Sequence, residues 1–123
     1  MKRQFFTIPC ELPSLNQFLD AGKAHWSRYA KLKKEYSTLI SILARLQLKP
    51  VTGRVSMDFH WFCKDRRRDP DNVSSAKKFV LDGLTDAGIL PDDSWRWVVG
   101  FSDHFEIDKN SPRVEITIDE NVN

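Results

Sequence analysis

Residues 54–63 read Arg-Val-Ser-Met-Asp-Phe-His-Trp-Phe-Cys, and this stretch decides the fold class. Large apolar side chains at Val55, Met57, Phe59 and Trp61 alternate with more polar ones. Because successive side chains of a β-strand point to opposite faces of its sheet, the alternation predicts a strand with one buried face. Such a face has to be covered by another layer of secondary structure, which the flanking sequence must provide.

The flanking segments predict two helices and three more strands. Apolar residues at helical spacing predict a first helix over residues 26–48 and a second over 73–87, which Gly88 ends. Alternation and turn residues predict the other strands, over residues 2–9, 95–107 (with a bulge at Gly100) and 113–119. The order β-α-β-α-β-β predicts an α/β (α+β) fold, in which one mixed sheet packs with two helices in a single domain, residues 1–123.

The composition excludes several classes of protein. No run approaches the roughly 20 apolar residues of a membrane span, and the first residues lack the apolar segment and cleavage site of a signal peptide. We therefore expect a cytoplasmic protein with no membrane partner and no organic cofactor. Cys10 and Cys63 fit neither a disulfide framework nor a zinc site, because such sites need more ligands at closer spacing.

The charges are divided unevenly along the chain. Residues 1–68 contain 14 Lys and Arg against 5 Asp and Glu, whereas residues 69–123 contain 5 against 12. One interpretation is a polar surface that happens to segregate. The other is a basic surface that attracts a polyanion, beside an acidic pocket that binds cations. The positions of the acids have to decide between them.

The stretch Asp69-Pro70-Asp71-Asn72 carries the strongest functional signal. It lies between the strand over residues 54–63 and the second helix, so its two carboxylates can point the same way. Carboxylates without histidine or cysteine partners suit hard cations, Mg²⁺ above all. Three arginines directly precede the pair, and arginine matches the geometry of phosphate with two parallel hydrogen bonds. Metal ligands beside a phosphate clamp are what phosphodiester hydrolysis requires.

Simpler interpretations of the same residues stay open at this point. Asp71 or Asn72 is well placed to cap the second helix, and the arginines can be a solvated turn. A calcium loop of the EF-hand type is excluded, because its pattern needs glycine and glutamate where this chain has Ser74 and Val80. Taken alone, the pair Asp69 and Asp71 favours the capping interpretation.

Residues later in the chain favour a catalytic role for Asp69 and Asp71 over the capping interpretation. In a continuous helix, Lys78 lies nearly on the same face as Asp71, and Asp82 follows it on that face. A lysine there can contact the scissile phosphate, although an ordinary i,i+4 ion pair with Asp82 explains it as well. The pair Asp92 and Asp93 adds a further source of carboxylates, in the loop before the third strand.

The ordered set of these motifs resembles the RusA family of Holliday junction resolvases. The resemblance rests on Arg67-Arg68-Asp69-Pro70-Asp71-Asn72, a lysine, Leu81-Asp82-Gly83-Leu84-Thr85-Asp86-Ala87-Gly88 and Asp92-Asp93. It is tight over residues 64–95 and extends loosely over nearly the whole chain, including Pro13-Ser14-Leu15-Asn16. The ordered set is specific, whereas any one piece of it is not.

The resemblance implies a crossover junction endodeoxyribonuclease that acts in DNA recombination and repair. It implies a homodimer that cuts branched DNA, the four-way junction, with Mg²⁺ and nicks two strands symmetrically. It also implies that Asp69, Asp71 and Asp93 are the metal-binding and catalytic carboxylates. Whether Mn²⁺ replaces Mg²⁺ stays open.

The catalytic lysine of the family stands four residues before the helix aspartate, which selects Lys78 by the resemblance. Three more residues separate Asp71 from this lysine than in the best-known resolvase of the family. The lysine can therefore reach the site from a different position along the helix axis, and Lys77 stays the alternative.

A basic surface is expected to hold the DNA. The residues that we expect to contact it are Arg66, Arg67, Arg68, Lys77, Lys31 and Lys34. Phosphate contacts of this kind position DNA without reading its sequence, and they weaken steeply with salt. Two other functions stay open, namely a module that binds junctions without cutting them and a metal-dependent nuclease that acts on flaps or single strands. Trp95 and Trp97 share one strand face, where they can stack on bases or on a partner subunit, and core packing is the interpretation that we favour.

Overall fold

The computed structural model describes residues 2–14, 16–17 and 26–121. Its elements are, in chain order, β1 (Lys2–Ile8), α1 (Trp26–Gln47), β2 (Arg54–Cys63), α2 (Pro70–Ser74), α3 (Lys77–Asp86), β3 (Val98–Ile107) and β4 (Arg113–Asn121). The predicted order and the predicted α+β fold are confirmed, with α2 and α3 standing where the sequence predicts the second helix.

The four strands form one mixed sheet in the order β1-β4-β2-β3. β4 runs antiparallel to both β1 and β2, whereas β3 runs parallel to β2. A parallel neighbour requires a crossover connection, and α2 and α3 lie in the segment that makes it. The carboxyl ends of β2 and β3 therefore lie side by side, with Cys63 opposite Ile107. The motif Asp69-Pro70-Asp71-Asn72 follows β2 at this end of the sheet.

One face of the sheet is buried beneath the helices, as the alternation in β2 predicts. Phe59 and Trp61 are almost fully buried in the core that α1 and α3 complete. The two helices approach closely, because Gly83 of α3 lies where any Cβ would overlap the side chain of Ile40. No helix in the described ranges is long and apolar enough to cross a membrane.

The second helix differs from its predicted form. It begins at Pro70 rather than residue 73, and it is interrupted at residues 75–76. The hydroxyl groups of Ser74 and Ser75 donate to the backbone carbonyls of Asp71 (3.3 Å) and Asn72 (2.5 Å). Side chains that bond to their own backbone in this way compete with helical hydrogen bonding, which explains the break. The face argument that joined Asp71 to Lys78 assumed a continuous helix and loses its basis.

The third strand also begins later than predicted, at Val98. The carbonyl of Ser94 accepts hydrogen bonds from the N–H groups of Trp97 and Val98, both at 3.0 Å, so these residues form a turn. Trp95 is 92% exposed in that turn, and its assignment to the core was wrong. The predicted bulge is present, one residue earlier than Gly100, since the register shift leaves Val99 as the extra residue.

Candidate active site

The two aspartates of the motif stand at the start of α2, just beyond the carboxyl end of β2. Asp69 occupies the N-cap position with extended backbone, Pro70 begins the helix, and Asp71 lies in the first turn. Proline is favoured at the first helical position because it has no N–H to leave unpaired. The prediction that Asp71 or Asn72 caps this helix was wrong, and Asp69 makes no capping hydrogen bond with its side chain.

The carboxylates of Asp69 and Asp71 are exposed and available. Within the described ranges, neither side chain makes a hydrogen bond or an ion pair. Nearby acids are engaged, as Asp65 is by the N–H of Arg67 at 3.0 Å. Two carboxylates that keep all their oxygen lone pairs free are ready ligands for a hard cation.

Arg68 braces the motif from inside the protein. Its guanidinium donates to the carbonyl of Leu12 at 2.9 Å and lies 3.5 Å from the carboxylate of Glu11. Glu11 also accepts a hydrogen bond from the N–H of Lys64 at 3.0 Å, so it joins the segment after β1 to the loop after β2. With its side chain only 25% exposed, Arg68 holds these two loops together rather than extending into solvent. Glu11 is a residue that the sequence interpretation missed.

A residue of the segment after β1, Asn16, also contacts the motif. Its side-chain amide donates to the Asn72 side-chain oxygen at 2.9 Å, which places it one residue from Asp71 in the chain. Ser14 is buried, and its N–H donates to the side chain of Gln17 at 2.7 Å. Asn16 entered the sequence argument only through the resemblance, and its contact with Asn72 places it at the site.

Lys78 lies between two acids. Its ammonium is 3.1 Å from a carboxylate oxygen of Asp82 and 3.1 Å from one of Asp93. Hydrogen bonds to Asp93 and then to Asp82 raise the pKa of Lys78 above its ordinary value. The amine is therefore protonated at neutral pH, and it can donate hydrogen bonds to a phosphate but cannot act as a base. The tertiary structure thus joins Asp93 to the helix that carries the lysine.

Lys77 points in another direction, beneath the edge of the sheet. Its ammonium lies 2.7 Å from Asp103 of β3 and within about 5 Å of the ring centres of Phe59 and Phe101. The other oxygen of Asp103 accepts from the indole N–H of Trp61 at 2.8 Å. Only 19% of the Lys77 side chain is exposed. Sequence reasoning missed Asp103, although an acid between Phe101 and Phe105 on an apolar strand face was a visible signal.

The predicted metal ligands do not meet as a set in this structure. In the part of the chain that is described, no group of three His, Cys, Asp or Glu side chains is close enough to hold a metal ion. Asp69 and Asp71 are available, whereas Asp93 pairs with Lys78. The chemical type of these three side chains fits Mg²⁺, because carboxylate oxygens without nitrogen or sulfur ligands suit a small hard cation.

Two cavities adjoin these residues. One of about 550 Å³ is lined by Asp69 and Arg66 together with the apolar side chains of Phe105 and Ile107. The other, of about 300 Å³, contains Lys78, Asp82 and Asp93. Asp69 thus lines the first cavity, Lys78 and Asp93 line the second, and Asp71 lines neither of the two.

The exposed basic residues fall into two groups. Arg66 and Arg67 project from the loop before Asp69, with the Arg67 side chain 89% exposed. On α1, Lys34 lines a groove of about 500 Å³, while Lys31 is exposed but is not part of the groove lining. Lys33 lines both this groove and the Lys78 cavity. Sequence reasoning did not select Lys33, because only the packing of α1 on α3 brings it to the site.

Comparison with known proteins adds one finding. A family model described as "Endodeoxyribonuclease RusA" matches residues 17–119 of the chain. A search of curated proteins gave no match. The matched range contains both aspartates of the motif, Lys78 and Asp93.

Proposed function

The chain belongs to the RusA family of endodeoxyribonucleases and is a hydrolase of phosphodiester bonds in DNA, and from this premise we propose that it resolves four-way junctions by paired nicks. The proposal takes residues 1–123 as one endonuclease domain that acts as a homodimer, because one short chain offers one site and two nicks need two. Divalent metal, Mg²⁺ first, is the proposed cofactor.

The observation that carries the proposal is the contrast between the motif aspartates and their neighbours. Arg68, Glu11 and Lys77 all have partners inside the protein, whereas Asp69 and Asp71 have none in the described ranges. Their like charges, one residue apart in the chain at the start of α2, repel each other, and no cationic side chain in the described ranges pairs with either. A cation removes that repulsion, which supports a role for these residues in binding one.

Asp69, Asp71 and Asp93 would hold the metal in this proposal. Bound there, Mg²⁺ would activate the attacking water and stabilise charge on the phosphate. A cation held by Asp93 would compete with Lys78 for the same carboxylate, and Asp82 would then be the acid that anchors the lysine. The ammonium of Lys78 is placed to donate to the scissile phosphate or to the leaving 3′ oxygen.

The exposed basic residues would hold the flanking phosphates. Arg66, Arg67 and Lys34 keep their charges at the surface, and Lys31 supplies a further charge on α1. Arg68 and Lys77 are engaged inside the protein, and these contacts support a structural role for them. In this role they stabilise the surfaces from which the other basic residues project.

A second candidate function is a metal-dependent nuclease for flaps or single strands. Trp26 is 74% exposed and stacks on Tyr29 with ring centres 5.5 Å apart, at the groove that Lys33 and Lys34 line. Aromatic rings beside lysines are the usual way to hold unpaired bases. This observation favours a substrate with an unpaired segment, and the same catalytic residues would serve it.

A cleavage assay on an immobile four-way junction, with linear duplex and flap controls, tests both candidates. The wild-type chain, Asp71→Asn and Asp93→Asn are compared in Mg²⁺ and in EDTA, with Asp92→Asn as the matched control. We expect paired symmetric nicks in the junction, lost in EDTA and reduced about a thousandfold by Asp71→Asn, the effect of losing several kcal/mol of metal-assisted stabilisation.

The other outcomes are equally definite. Equal cutting of flaps and junctions would support the second candidate and refute junction specificity. Junction binding without cutting in Mg²⁺ or Mn²⁺ would refute the assigned roles of the aspartates. Loss of cutting in Asp92→Asn but not in Asp93→Asn would move the third ligand by one residue.

A further inference from the structure

The groove on α1 and the cavity that contains Lys78 adjoin each other. Among the described residues that line them, the groove of about 500 Å³ and the cavity of about 300 Å³ share Lys33, Ser37 and Asp86. Lys33 and Ser37 belong to α1 and Asp86 is the last residue of α3, so groove and cavity together follow the boundary between the two helices, which we call the α1–α3 seam. The seam begins beside Lys78 and ends at Trp26, the first residue of α1. A ligand in the candidate active site can therefore extend along it.

The far end of the α1–α3 seam is a flat aromatic surface. Trp26 stacks on Tyr29, with ring centres 5.5 Å apart and ring planes inclined by 19°. Tyr29 packs against the hydrophobic core, which fixes the ring on which the indole rests. Trp26 itself is 74% exposed, so most of its indole faces solvent. A fixed and exposed aromatic ring of this kind is a surface on which a nucleobase can stack.

The surroundings of Trp26 distinguish it from an ordinary exposed tryptophan. Single exposed apolar side chains are common on protein surfaces and need no functional explanation. Trp95 is such a side chain, since it is 92% exposed and does not belong to the described lining of the groove or of the cavity. Trp26 instead shares its groove with Lys33 and Lys34. Aromatic rings and cations in one groove match the bases and the phosphates of a nucleic acid strand.

The charges along the seam suit a DNA strand that runs toward a metal site. In the described lining of the groove, Lys33 and Lys34 outnumber the acid Asp86. The cavity around Lys78 has more acidic than basic side chains among its described residues, a balance that a divalent cation would reverse. Phosphates would thus meet positive charge at both ends of the seam. Asp86 is exposed, and its carboxylate can accept a hydrogen bond from an amino group of a base.

We propose that the α1–α3 seam binds an unpaired segment of the DNA strand next to the phosphate that is cut. Lys33 holds a phosphate of this segment beside the cavity, and one of its bases stacks on Trp26. The proposal rests on the proposed function for the position of the cut, and it adds a requirement on the substrate, because a base that stacks on Trp26 has left the double helix. A flap offers such a base directly, whereas a four-way junction has to open a pair beside its branch point.

Trp26 lies within reach of the cut strand. It precedes Lys33 by seven residues in α1, so the two side chains lie on nearly the same face of the helix, about 10 Å apart along its axis. Lys33 in turn lines the same cavity as Lys78. A short run of extended nucleotides spans this path, so the stacked base is expected within a few nucleotides of the cut.

Binding of a labelled oligodeoxythymidine to the full chain in EDTA tests the site without any cutting. We expect Trp26→Ala to raise the Kd about tenfold, the usual effect of losing one stacked base. Lys33→Gln should raise it about threefold and reduce the salt dependence by about one phosphate contact. Trp95→Ala and Lys49→Gln are the matched controls, since they remove an exposed ring and an exposed charge outside the seam, and they should bind as the wild type does. Circular dichroism checks that each variant is folded.

Tryptophan fluorescence identifies the ring that meets the base. A base stacked on an indole quenches its emission, so the oligodeoxythymidine should quench the wild type and Trp95→Ala. Trp26→Phe should lose most of this quenching but keep its affinity within about threefold of the wild type, because phenylalanine still offers a stacking surface. Quenching that persists in Trp26→Phe would show that the base meets a different tryptophan, which contradicts the proposal.

Photo-cross-linking places the site relative to the branch point. Iododeoxyuridine, which links to an aromatic ring stacked on it, is introduced at successive positions of a flap and of a four-way junction, with linear duplex as the control. In EDTA we expect links to Trp26 from a narrow set of positions beside the branch point and from none in the duplex. Links from duplex positions, or none from the flap, would refute an unpaired segment in the seam.

The outcomes separate this proposal from the nuclease activity. Unchanged oligodeoxythymidine affinity in Trp26→Ala, an equal loss in Trp95→Ala, or an equal effect of Trp26→Ala on linear duplex would overturn the proposal, whatever the cleavage assay shows. Binding that depends on Trp26 in a chain that cuts no DNA would refute the proposed function and support the binding site alone.

Discussion

Lys77 and Lys78 are adjacent in the sequence, but they lie in two different regions of the molecule. Lys77 is held under the sheet edge by Asp103 and two aromatic rings, with 19% of its side chain exposed. Lys78 is 62% exposed and bonds to Asp82 and Asp93 beside a cavity. The same division separates Arg68, which is engaged, from Arg67, which is not buried. We therefore expect engaged charges to affect stability and available charges to affect activity.

Among the changes that test this difference between the two lysines, Lys78→Gln is expected to have the largest effect. Losing the ammonium that contacts the scissile phosphate should lower the single-turnover cutting rate about a hundredfold, as the loss of one electrostatic donor does in other enzymes. The free energy of unfolding should change by less than about 0.5 kcal/mol, since ion pairs this exposed contribute little. Rapid-quench cleavage and urea unfolding measure the two quantities. A normal cutting rate in Lys78→Gln would show that Lys78 does not contribute to activity.

Lys77→Met should show the opposite pattern. The substitution leaves the carboxylate of Asp103 largely buried without its cation, and we expect a loss of about 2 kcal/mol in unfolding free energy, less than for a fully buried pair. The cutting rate of the folded fraction should stay within about threefold of wild type, an effect below 1 kcal/mol in the barrier. Urea unfolding of Lys77→Met and of Lys77→Met with Asp103→Asn provides the check. If the second change does not restore stability, the pair is not the cause.

Glu120 is an engaged charge that is almost fully buried. It is 3% exposed, and its carboxylate accepts from the N–H groups of Thr52 and Gly53 and from the Thr52 hydroxyl. Burial alone would raise the pKa of Glu120, but these hydrogen bonds outweigh it and lower the pKa. Its stabilisation is therefore present above the ordinary glutamate pKa of 4.5 and is lost as the pH falls through the lowered value.

Glu120→Gln should accordingly cost about 1–2 kcal/mol of unfolding free energy at neutral pH. The difference from wild type should shrink below the lowered pKa, where the wild-type carboxyl is also neutral. Urea unfolding across this pH range measures it. A difference that does not depend on pH would show that the charge of Glu120 is irrelevant.

The smallest effect is expected from Arg67, and the neighbouring Arg68 serves as its comparison. Arg67→Ala should weaken junction binding about threefold and reduce the slope of binding against salt by about one phosphate contact. Arg68→Ala should instead lower stability by about 1–3 kcal/mol, because Leu12 and Glu11 lose a charged donor. Binding titrations at several salt concentrations, with urea unfolding alongside, separate the two. Equal salt slopes for both variants would contradict the division.

Much of the fold was predictable because local patterns carry it. The alternation in β2 gave the strand with its observed bounds, Arg54–Cys63. The helical spacing of apolar residues placed α1 within one residue at its end. The second helix was less predictable, because the hydroxyls of Ser74 and Ser75 compete with helical bonding and hydrophobic periodicity does not register that competition. Trp95 was misassigned for a similar reason, since a turn at Ser94 overrides an apparent strand.

By itself, the sequence determined the fold class, the pair Asp69 and Asp71 at the strand–helix junction, and the family resemblance, since these depend on residue types and short spacings. Only the tertiary structure decided which charges are engaged. Lys77 meets Asp103 across 26 residues, and Arg68 meets Leu12 across 56. The physical reason is that a charge acquires its role from partners, burial and direction, which long-range packing sets and no local pattern encodes.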